Sequence, residues 1–341
     1  MLGFLKTLTS ISGVSGSEDL VREYIHKILK EKYEDIVTDP LGNLLVVKKG
    51  RKEGGFLLSA HMDEVGIIIT HIKEDGSLKF ETVGGIESRV LPAKHFFIGE
   101  DMIPGVVGIK PIHLQEKDEF EKFPELKNLY LDIGSSSKDE TEKYIKLGDT
   151  GVFDSDYIET EKRITAKALD DRAGCAILLE LAMNSEIYKY DIYFAFTTME
   201  EIGTRGSKTV AAVIPPQKGI IVVEGTTCAD VPGIDGAGMC TRLGCGPVLT
   251  IMDKSCISDR VLNGKLAEIA GGNGIDFQYK TLASGGNDAA SYQTAQKGFR
   301  TSSVSVPCRY LHSPFGIMCK KDITGAYKLI DTALRTEEFY E

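Results

Sequence analysis

This chain of 341 residues is organised around the stretch Leu58-Ser59-Ala60-His61-Met62-Asp63-Glu64-Val65-Gly66. Apolar residues lead into it from Phe56 and away from it through Ile69, which predicts a buried strand that delivers His-x-Asp at its carboxyl end. Because side chains alternate along a strand, Asp63 can reach the far ring nitrogen of His61. Open α/β sheets collect ligands at this edge, so we predict that His61 is a metal ligand.

Composition and charge narrow the class of protein. Hydrophobic residues make up 42% and charged residues 26%, which is typical of a globular protein, and the length suits two domains. A net charge of -10 argues against nucleic acid and against anionic membranes as partners. We expect a cytoplasmic protein, because the sequence contains neither a signal-peptide layout nor an apolar run that could span a bilayer. The 7 cysteines are odd in number and lack a CxxC pair, which favours reduced core thiols.

The order of patterns predicts a discontinuous catalytic domain. Residues 1–70 and 161–341 alternate apolar strands with helical patterns, which is typical of an α/β domain. Residues 71–160 contain short alternating segments broken by glycine, proline and charged turns, which predicts an inserted β-barrel or sandwich. Near the amino terminus, Ser15 and Glu18 have the spacing of a capping box that would begin a helix.

Other acidic and imidazole residues, like His61, lie at the ends of predicted secondary-structure elements. Two histidines with three or four carboxylates suit two divalent cations, one carboxylate bridging them, and Zn²⁺, Co²⁺ or Mn²⁺ would accept this ligand set. These residues each fall where an apolar strand ends or a helix begins: Asp170, Glu200, Glu201, Glu224 and His312.

Spacing leaves two choices open in this set. Adjacent residues at a strand end point in different directions, so one glutamate of the Glu200-Glu201 pair can bind metal while the other acts as a general base. Asp170 and Asp171 are equal candidates for the bridge. Nearby, Arg172 and Arg309 are predicted to form structural ion pairs.

The candidate residues lie in separate motifs along the chain: His61-Met62-Asp63, Ala168-Leu169-Asp170-Asp171-Arg172, Glu200-Glu201-Ile202-Gly203, Glu224-Gly225-Thr226-Thr227 and Tyr310-Leu311-His312-Ser313-Pro314, with Gly285-Gly286-Asn287-Asp288-Ala289 as a further motif. Together these motifs resemble the M42 family of dinuclear metallo-aminopeptidases. The resemblance covers nearly the whole chain and keeps the family's order of motifs. It implies a three-layer α/β/α metallopeptidase catalytic domain with an inserted small PDZ-like β-barrel domain for assembly, and homo-oligomers in which dimers build a dodecamer.

The resemblance also implies a role for each site residue. Glu200 would be the general base, Asp63 would orient His61, and Asp171 would support the site from behind the ligands. Two divalent ions per subunit are implied, with Zn²⁺ preferred over Co²⁺ and Mn²⁺. The implied ligands are His61 and Glu224 for one ion, Glu201 and His312 for the second, and Asp170 as the bridge. The chain departs from the common family pattern at Glu224, where many members have Asp, and at Asn287, where Thr is common.

The implied activity is hydrolysis of the amino-terminal residue from short peptides. Three alternatives are deacylation of N-acyl amides by the same metal pair, glycoside hydrolysis, and a scaffold that has lost catalysis. A chain with no Trp lacks the large flat aromatics that sugar clefts use, and glycoside hydrolysis would leave the two histidines without a role. A scaffold would have lost a ligand or the base, whereas all are present. A requirement for a free amino terminus separates the aminopeptidase from the deacylase.

Overall fold

The computed structural model describes residues 1–116, 122–215 and 217–340 as a mixed α/β protein. The helices are α1 (Leu2–Ser10), α2 (Asp19–Leu29), α3 (Lys138–Thr141), α4 (Leu169–Met183), α5 (Arg205–Val213), α6 (Arg260–Gly272), α7 (Ala289–Thr294) and α8 (Lys320–Arg335). The strands are β1 (Ile36–Thr38), β2 (Leu44–Lys48), β3 (Lys52–His61), β4 (Gly66–Ile72), β5 (Leu78–Val83), β6 (His95–Ile98), β7 (Ile103–Gly108), β8 (Tyr130–Asp132), β9 (Thr150–Phe153), β10 (Ile158–Glu159), β11 (Arg163–Ala166), β12 (Tyr190–Thr197), β13 (Gly219–Thr227), β14 (Val248–Thr250), β15 (Gln278–Lys280), β16 (Thr301–Arg309) and β17 (Gly316–Cys319).

The main sheet has 11 strands in the order β1-β2-β12-β3-β13-β16-β17-β11-β10, and β14 joins β16 and β15 beside this path. Its centre is parallel, because β3 pairs in parallel with both β12 and β13, and β13 pairs in parallel with β16. The carboxyl ends of these strands therefore meet at one edge, as expected for a ligand-binding edge of an α/β sheet.

Alternation along β3 divides the core between the two faces of the sheet. Phe56, Leu58 and Ala60 belong to the cluster that packs with α1, α2, α4, α6 and α8. Leu57 belongs to the cluster that packs with α5 and α7 on the opposite face. A sheet buried on both sides by helices confirms the predicted three-layer α/β/α architecture.

A closed barrel interrupts the main sheet between β3 and β10. Its six strands follow the order β4-β5-β8-β7-β6-β9, and it has its own apolar core, in which Phe96 and Phe153 stack with ring centroids 4.5 Å apart. Closure pairs every strand and so removes exposed edges. The inserted barrel is thus confirmed as part of the fold, while the domain boundaries placed at residues 71 and 160 stay a prediction.

The predicted capping box before α2 is wrong. Glu18 occupies the N-cap position, but its side chain makes no cap hydrogen bond to α2. The Ser15 hydroxyl instead donates to Asp63 Oδ2 at 2.6 Å, and Glu18 Oε1 accepts from the backbone N–H groups of Gly16 and Met199, each at 2.9 Å. Both side chains satisfy buried polar groups of distant segments, which local spacing does not reveal.

All seven cysteines are free, and all except Cys245 are buried, which confirms their role as small core residues. Within the described ranges of the chain, helices of the length and apolarity needed to cross a bilayer are absent.

Candidate metal centre

One pocket at the carboxyl edge of the main sheet gathers the predicted ligands. It encloses about 580 Å³ and lies beside the ends of β3, β12, β13 and β16. Asp63 lies behind His61 and does not line it. The lining includes His61, Asp170, Glu200, Glu201, Glu224 and His312.

Asp170 lies between the two histidines. Its Oδ1 is 3.5 Å from His61 Nε2 and its Oδ2 is 3.9 Å from His312 Nε2. Glu201 Oε2 is 3.1 Å from His312 Nε2. Potential ligand atoms within 4.8 Å of one another form two trios: His61, Glu200 and Glu201, and Asp170, Glu201 and His312.

Glu224 lines the same pocket but belongs to neither trio. Its Oε1 accepts hydrogen bonds from Asn287 Nδ2 and, at 3.4 Å, from Ser305 Oγ, and Asn287 Nδ2 also contacts Ser303 Oγ at 3.0 Å. Burial, followed by the charge of Asp170, raises the pKa of Glu224 to about 8. Asn287 therefore contacts a predicted ligand. Its signal in the sequence was its place in the Gly285–Ala289 motif.

Asp170 and Asp171 face different surroundings, although they are adjacent and joined by a cis peptide bond. Asp171 is fully buried and accepts hydrogen bonds from the backbone N–H of His61 at 3.2 Å and of Gly174 at 2.9 Å. Burial raises the pKa of Asp171 well above its usual value. Asp170 reaches the pocket, while Asp171 links β3 to α4 behind it.

Asp63 touches more of the site than the alternation of β3 suggests. Its Oδ1 lies 3.3 Å from His61 Nδ1, whose hydrogen-bond partner is the Asp63 carbonyl oxygen at 3.1 Å. The carboxylate also accepts from the backbone N–H groups of Glu200 at 2.9 Å and Glu201 at 3.0 Å, and from Ser15. Although burial opposes its charge, these contacts lower the pKa of Asp63.

Ser15, Glu18 and Asp63 together form a clamp on the turn that carries the two glutamates. Glu18 holds the N–H of Met199, whose φ of 52° is in the left-handed region, and Asp63 holds the next two N–H groups. These buried carboxylates accept hydrogen bonds from three successive backbone N–H groups, and they therefore fix the position of the backbone at Glu200 and Glu201. Sequence reasoning missed Ser15 and Glu18 because they lie in a different segment.

His312 is also held by a residue from the barrel side. Its Nδ1 lies 3.2 Å from the carbonyl oxygen of Gly85, and a Cβ at Gly85 would approach that nitrogen to 3.0 Å. His312 has a φ of 58°, a conformation that L-residues adopt rarely. Burial opposes the charge of His312, but Glu201 and Asp170 outweigh it and raise the pKa to about 9. Gly85 was not singled out by the sequence.

The electrostatics and chemistry of these donors fit divalent cations. Burial raises the pKa of Glu201, and it raises the pKa of Glu200 well above its usual range against the attraction of His61. Burial lowers the pKa of His61, but hydrogen bonds to Asp170 and Asp63 outweigh it and raise the pKa well above the ordinary value. Clustered carboxylates of this kind compete for protons, and cations of the Zn²⁺, Co²⁺ or Mn²⁺ type bind such mixed imidazole and carboxylate sets.

A cluster of buried ion pairs, formed by Glu64, Lys167 and Arg172, lies beside the centre. Lys167 Nζ donates to both oxygens of Glu64 at 2.7 and 2.8 Å, and Arg172 donates to the same carboxylate at 3.2 Å and to the Met62 carbonyl at 2.8 Å. Arg309 pairs with Asp230 at 2.6 and 2.8 Å. The predicted structural ion pairs of Arg172 and Arg309 are confirmed.

This chain is similar in sequence and in fold to known peptidases. The model of the family described as M42 glutamyl aminopeptidase matches residues 42–329. The lysyl aminopeptidase of Pyrococcus furiosus is 31% identical over 97% of this chain and 95% of its own. An aminopeptidase from Desulfurococcus kamchatkensis superposes with a TM-score of 0.93 at 34% identity, covering 99% of this chain and 95% of that one.

A further solved relative is the TET1 peptidase of Pyrococcus horikoshii, described as assembling into a tetrahedron or a large octahedral shell. It has a TM-score of 0.86 at 33% identity, covering 98% of each chain. The family match spans most of the chain, and the fold agrees along nearly its whole length. The chain therefore belongs to the M42 peptidase family, whose members are hydrolases acting on peptide bonds.

Proposed function

We propose that this chain is a two-metal aminopeptidase that removes the amino-terminal residue from short peptides. The observation that supports this most directly is the position of Asp170 between His61 and His312, with Glu201 shared by both trios of donor atoms. A carboxylate in that position suits a bridge between two cations.

The ligand set is the one that the family resemblance implies, and the closeness of Asp170, Glu201 and His312 supports part of it. His61 and Glu224 would hold one ion, Glu201 and His312 the other, and Asp170 would bridge both. We propose Zn²⁺ as the resident ion, ahead of Co²⁺ and Mn²⁺, because Zn²⁺ binds imidazole and carboxylate in small coordination shells. When bound, the ions would polarise the scissile carbonyl and lower the pKa of a water.

Glu200 would act as the general base. A carboxylate oxygen of Glu200 takes the proton of the attacking water and then passes it to the nitrogen of the departing peptide. Burial raises the pKa of Glu200, so its carboxylate is a stronger base than an exposed glutamate. The bond from its backbone N–H to Asp63 at 2.9 Å keeps the side chain at the pocket.

The names of the relatives favour the aminopeptidase over the deacylase. The family is described as glutamyl aminopeptidase, and the Pyrococcus furiosus relative is named a lysyl aminopeptidase.

Assembly would restrict the substrates to short peptides. We propose a homo-oligomer in which dimers build a dodecamer through the inserted barrel, in line with the tetrahedron or large octahedral shell described for the Pyrococcus horikoshii relative. Light scattering of the purified protein should then give about twelve times the chain mass of 37.3 kDa. A mass of one or two chains would contradict this part of the proposal.

The function is tested by amino-acid release from short peptides with free or acetylated amino termini, using metal-loaded enzyme. We expect release from the free peptides alone. The variant Glu200→Gln should lower kcat by about 10²- to 10⁴-fold, the range of a lost general base, while its metal content remains at two ions per chain.

The matched control is Glu268→Gln, which makes the same change on the exposed surface of α6 and should retain wild-type kcat. Equal cleavage of acetylated peptides would favour the deacylase. A fully active Glu200→Gln enzyme would contradict the assignment of the base.

A further inference from the structure

Glu224 has one carboxylate oxygen that is held by the protein and one that is not. Its Oε1 accepts hydrogen bonds from Asn287 Nδ2 and, at 3.4 Å, from Ser305 Oγ. Among the residues that the structure describes, none donates a hydrogen bond to Oε2, although Glu224 is only 8% exposed. Buried carboxylate oxygens are normally hydrogen-bonded, so Oε2 is the atom of Glu224 that a cation in the pocket would satisfy.

The pairing of β13 with β16 explains the two serines near this carboxylate. Glu224 and Ser305 are partners in the parallel register, and partnered residues of adjacent strands direct their side chains to the same face of the sheet. Ser303 lies two residues earlier on that face, because side chains alternate along a strand. The Ser305 hydroxyl is 3.4 Å from Glu224 Oε1, which is a long hydrogen bond, so the strands alone hold the carboxylate weakly.

Asn287 approaches Glu224 from outside the sheet, and its own amide group is held in one orientation. It lies two residues before α7 and is 3% exposed. Its Oδ1 accepts from the backbone N–H of Ala289 at 2.8 Å, which requires an oxygen on that side of the amide and places the NH₂ group on the other. Nδ2 donates to Glu224 Oε1 and to Ser303 Oγ at 3.0 Å. Every polar atom of the amide is in use, so Asn287 can hold Glu224 in a fixed position.

The loop before Asn287 packs closely against the turn that carries Lys254 and Ser255. The Lys254 N–H donates to the carbonyl oxygen of Gly285 at 2.9 Å. A Cβ at Gly286 would lie 2.6 Å from Ser255 Oγ and 3.2 Å from Ser255 Cβ, so this approach requires glycine. The position of Asn287 is therefore set by the packing of the loop as well as by its own hydrogen bonds.

We propose that Asn287 is a positioning residue for metal binding: its amide holds Oε1 of Glu224, so that Oε2 is presented to the cation. This inference rests on the proposed function, in which Glu224 is a metal ligand. A glutamate side chain that is fixed before the ion arrives loses less conformational entropy when the ion binds. Removal of a hydrogen bond that orients a metal ligand typically weakens metal binding by about 10- to 100-fold.

The experiment measures the affinity for Zn²⁺ by competition with a chromogenic chelator, in wild type and in Asn287→Thr. The threonine hydroxyl can still accept from the N–H of Ala289, so the turn before α7 is kept, but the side chain is too short to reach Glu224. We expect the Kd of one of the two ions to rise by about 10- to 100-fold. Asn273→Thr makes the same change at the exposed end of α6 and should leave both Kd values within about twofold of wild type.

A second background tests whether Asn287 acts through Glu224. Glu224→Asp shortens the side chain by one methylene and takes its carboxylate out of reach of Asn287. In that background Asn287→Thr should raise the Kd by less than about twofold. An equal loss in both backgrounds would mean that Asn287 only maintains the loop, and it overturns the inference. If Glu224→Asp holds a single ion, the variant with Glu224 intact decides: wild-type affinity in Asn287→Thr overturns the inference.

Folding and the two proposals can be separated. If Asn287→Thr fails to fold, Asn287→Ser carries the same hydroxyl on a smaller side chain and gives the same measurement. Glu224→Gln should lose one ion, and two ions held as tightly as in wild type would overturn the proposed ligand set. Loss of an ion in Glu224→Gln together with wild-type affinity in Asn287→Thr overturns the role of Asn287 and leaves the two-metal aminopeptidase standing.

Discussion

Two buried clusters of charged side chains lie side by side in this protein and differ in their balance of charge. In one cluster, Glu64 meets both Lys167 and Arg172 within 3.2 Å, and none of the three is more than 6% exposed. In the other, the ion pairs of the pocket's carboxylates within the described ranges are formed with histidines alone.

The difference shows two uses of buried charge. The Glu64 cluster joins the loop after β3 to the start of α4 and to the carbonyl groups of Leu8 and Ile11 at the end of α1, so its charges are satisfied by the protein itself. The pocket keeps an excess of negative charge, which a divalent cation would satisfy. The first arrangement supports the fold, and the second costs stability until a ligand binds.

The largest expected effect comes from removing the carboxylate between the histidines. In Asp170→Asn the metal content should fall below two ions per chain, and kcat/KM should fall by about 10³-fold or more, because the bridge loses its charge. In the metal-free protein the same variant should be more stable by about 1 kcal/mol, because the relief of repulsion with Glu201, Glu224 and Asp171 outweighs the loss of the histidine contacts. Metal analysis, peptide hydrolysis and urea unfolding measure these effects. A metal-free Asp170→Asn protein that is less stable than wild type would contradict the idea of an uncompensated acidic centre.

Breaking the ion pairs of Glu64 should act in the opposite direction. Glu64→Gln leaves Lys167 and Arg172 buried without their counter-charge, so the free energy of unfolding should fall by about 3–5 kcal/mol. Urea unfolding of metal-free samples allows direct comparison with Asp170→Asn. If Glu64→Gln and Asp170→Asn shift stability in the same direction, the contrast between the two clusters is wrong.

Smaller effects are expected from the clamp on the Glu200–Glu201 turn. Ser15→Ala removes a 2.6 Å hydrogen bond to Asp63 and should lower kcat by about tenfold, with KM and metal content nearly unchanged. Glu18→Ala should act similarly, because the N–H groups of Gly16 and Met199 lose their acceptor.

Glu18→Gln supplies the matched control for this clamp. The amide oxygen of glutamine can still accept from Gly16 and Met199, so most of the activity should remain. If Glu18→Gln is as impaired as Glu18→Ala, the charge of Glu18 matters and its role as a backbone acceptor is insufficient.

Lys48 is a third type of buried charge, and its effect on stability is expected to be the smallest. Lys48 Nζ donates to the carbonyl oxygens of Leu181 and Asn184, each at 2.9 Å, and burial lowers its pKa to about 7. Between pH 7 and its ordinary pKa of 10.5, Lys48 is protonated in the unfolded state and neutral in the folded state. The contribution of Lys48 to the free energy of unfolding therefore rises with pH across that window. Relative to Lys48→Met, wild type should gain up to about 1 kcal/mol per pH unit there. Unfolding at pH 7, 8 and 9 measures this, and a difference that is constant with pH would contradict it.

Much of the fold could be predicted because local patterns report it directly. The apolar run at 301–307 predicts a strand and the pattern at 321–337 predicts a closing helix, and the structure has β16 (Thr301–Arg309) and α8 (Lys320–Arg335) there. The short strand β17 (Gly316–Cys319) between them is missed by these patterns. Apolar runs mark strands that are buried on both faces, so their carboxyl ends could be located from the sequence, and the predicted ligand residues all line one pocket. The roles assigned to those residues stay predictions.

Such local patterns do not predict contacts between distant segments of the chain. Ser15 and Glu18 have the spacing of a capping box, yet their partners are Asp63 and the turn at Met199. Asp63 contacts Glu200, which is 137 residues away in the chain. A motif records the identity and spacing of neighbours, whereas hydrogen-bond partners depend on which segments packing brings together.

The sequence by itself determined the α/β class, the inserted β domain and the set of imidazole and carboxylate groups at strand ends, because period and residue type are local properties. Tertiary structure decided which of two adjacent aspartates reaches the pocket, since Asp171 is turned to the backbone of His61 and Gly174 while Asp170 faces the histidines. The physical reason is that burial and charge balance depend on every segment around a group, and most of those segments are remote in the chain.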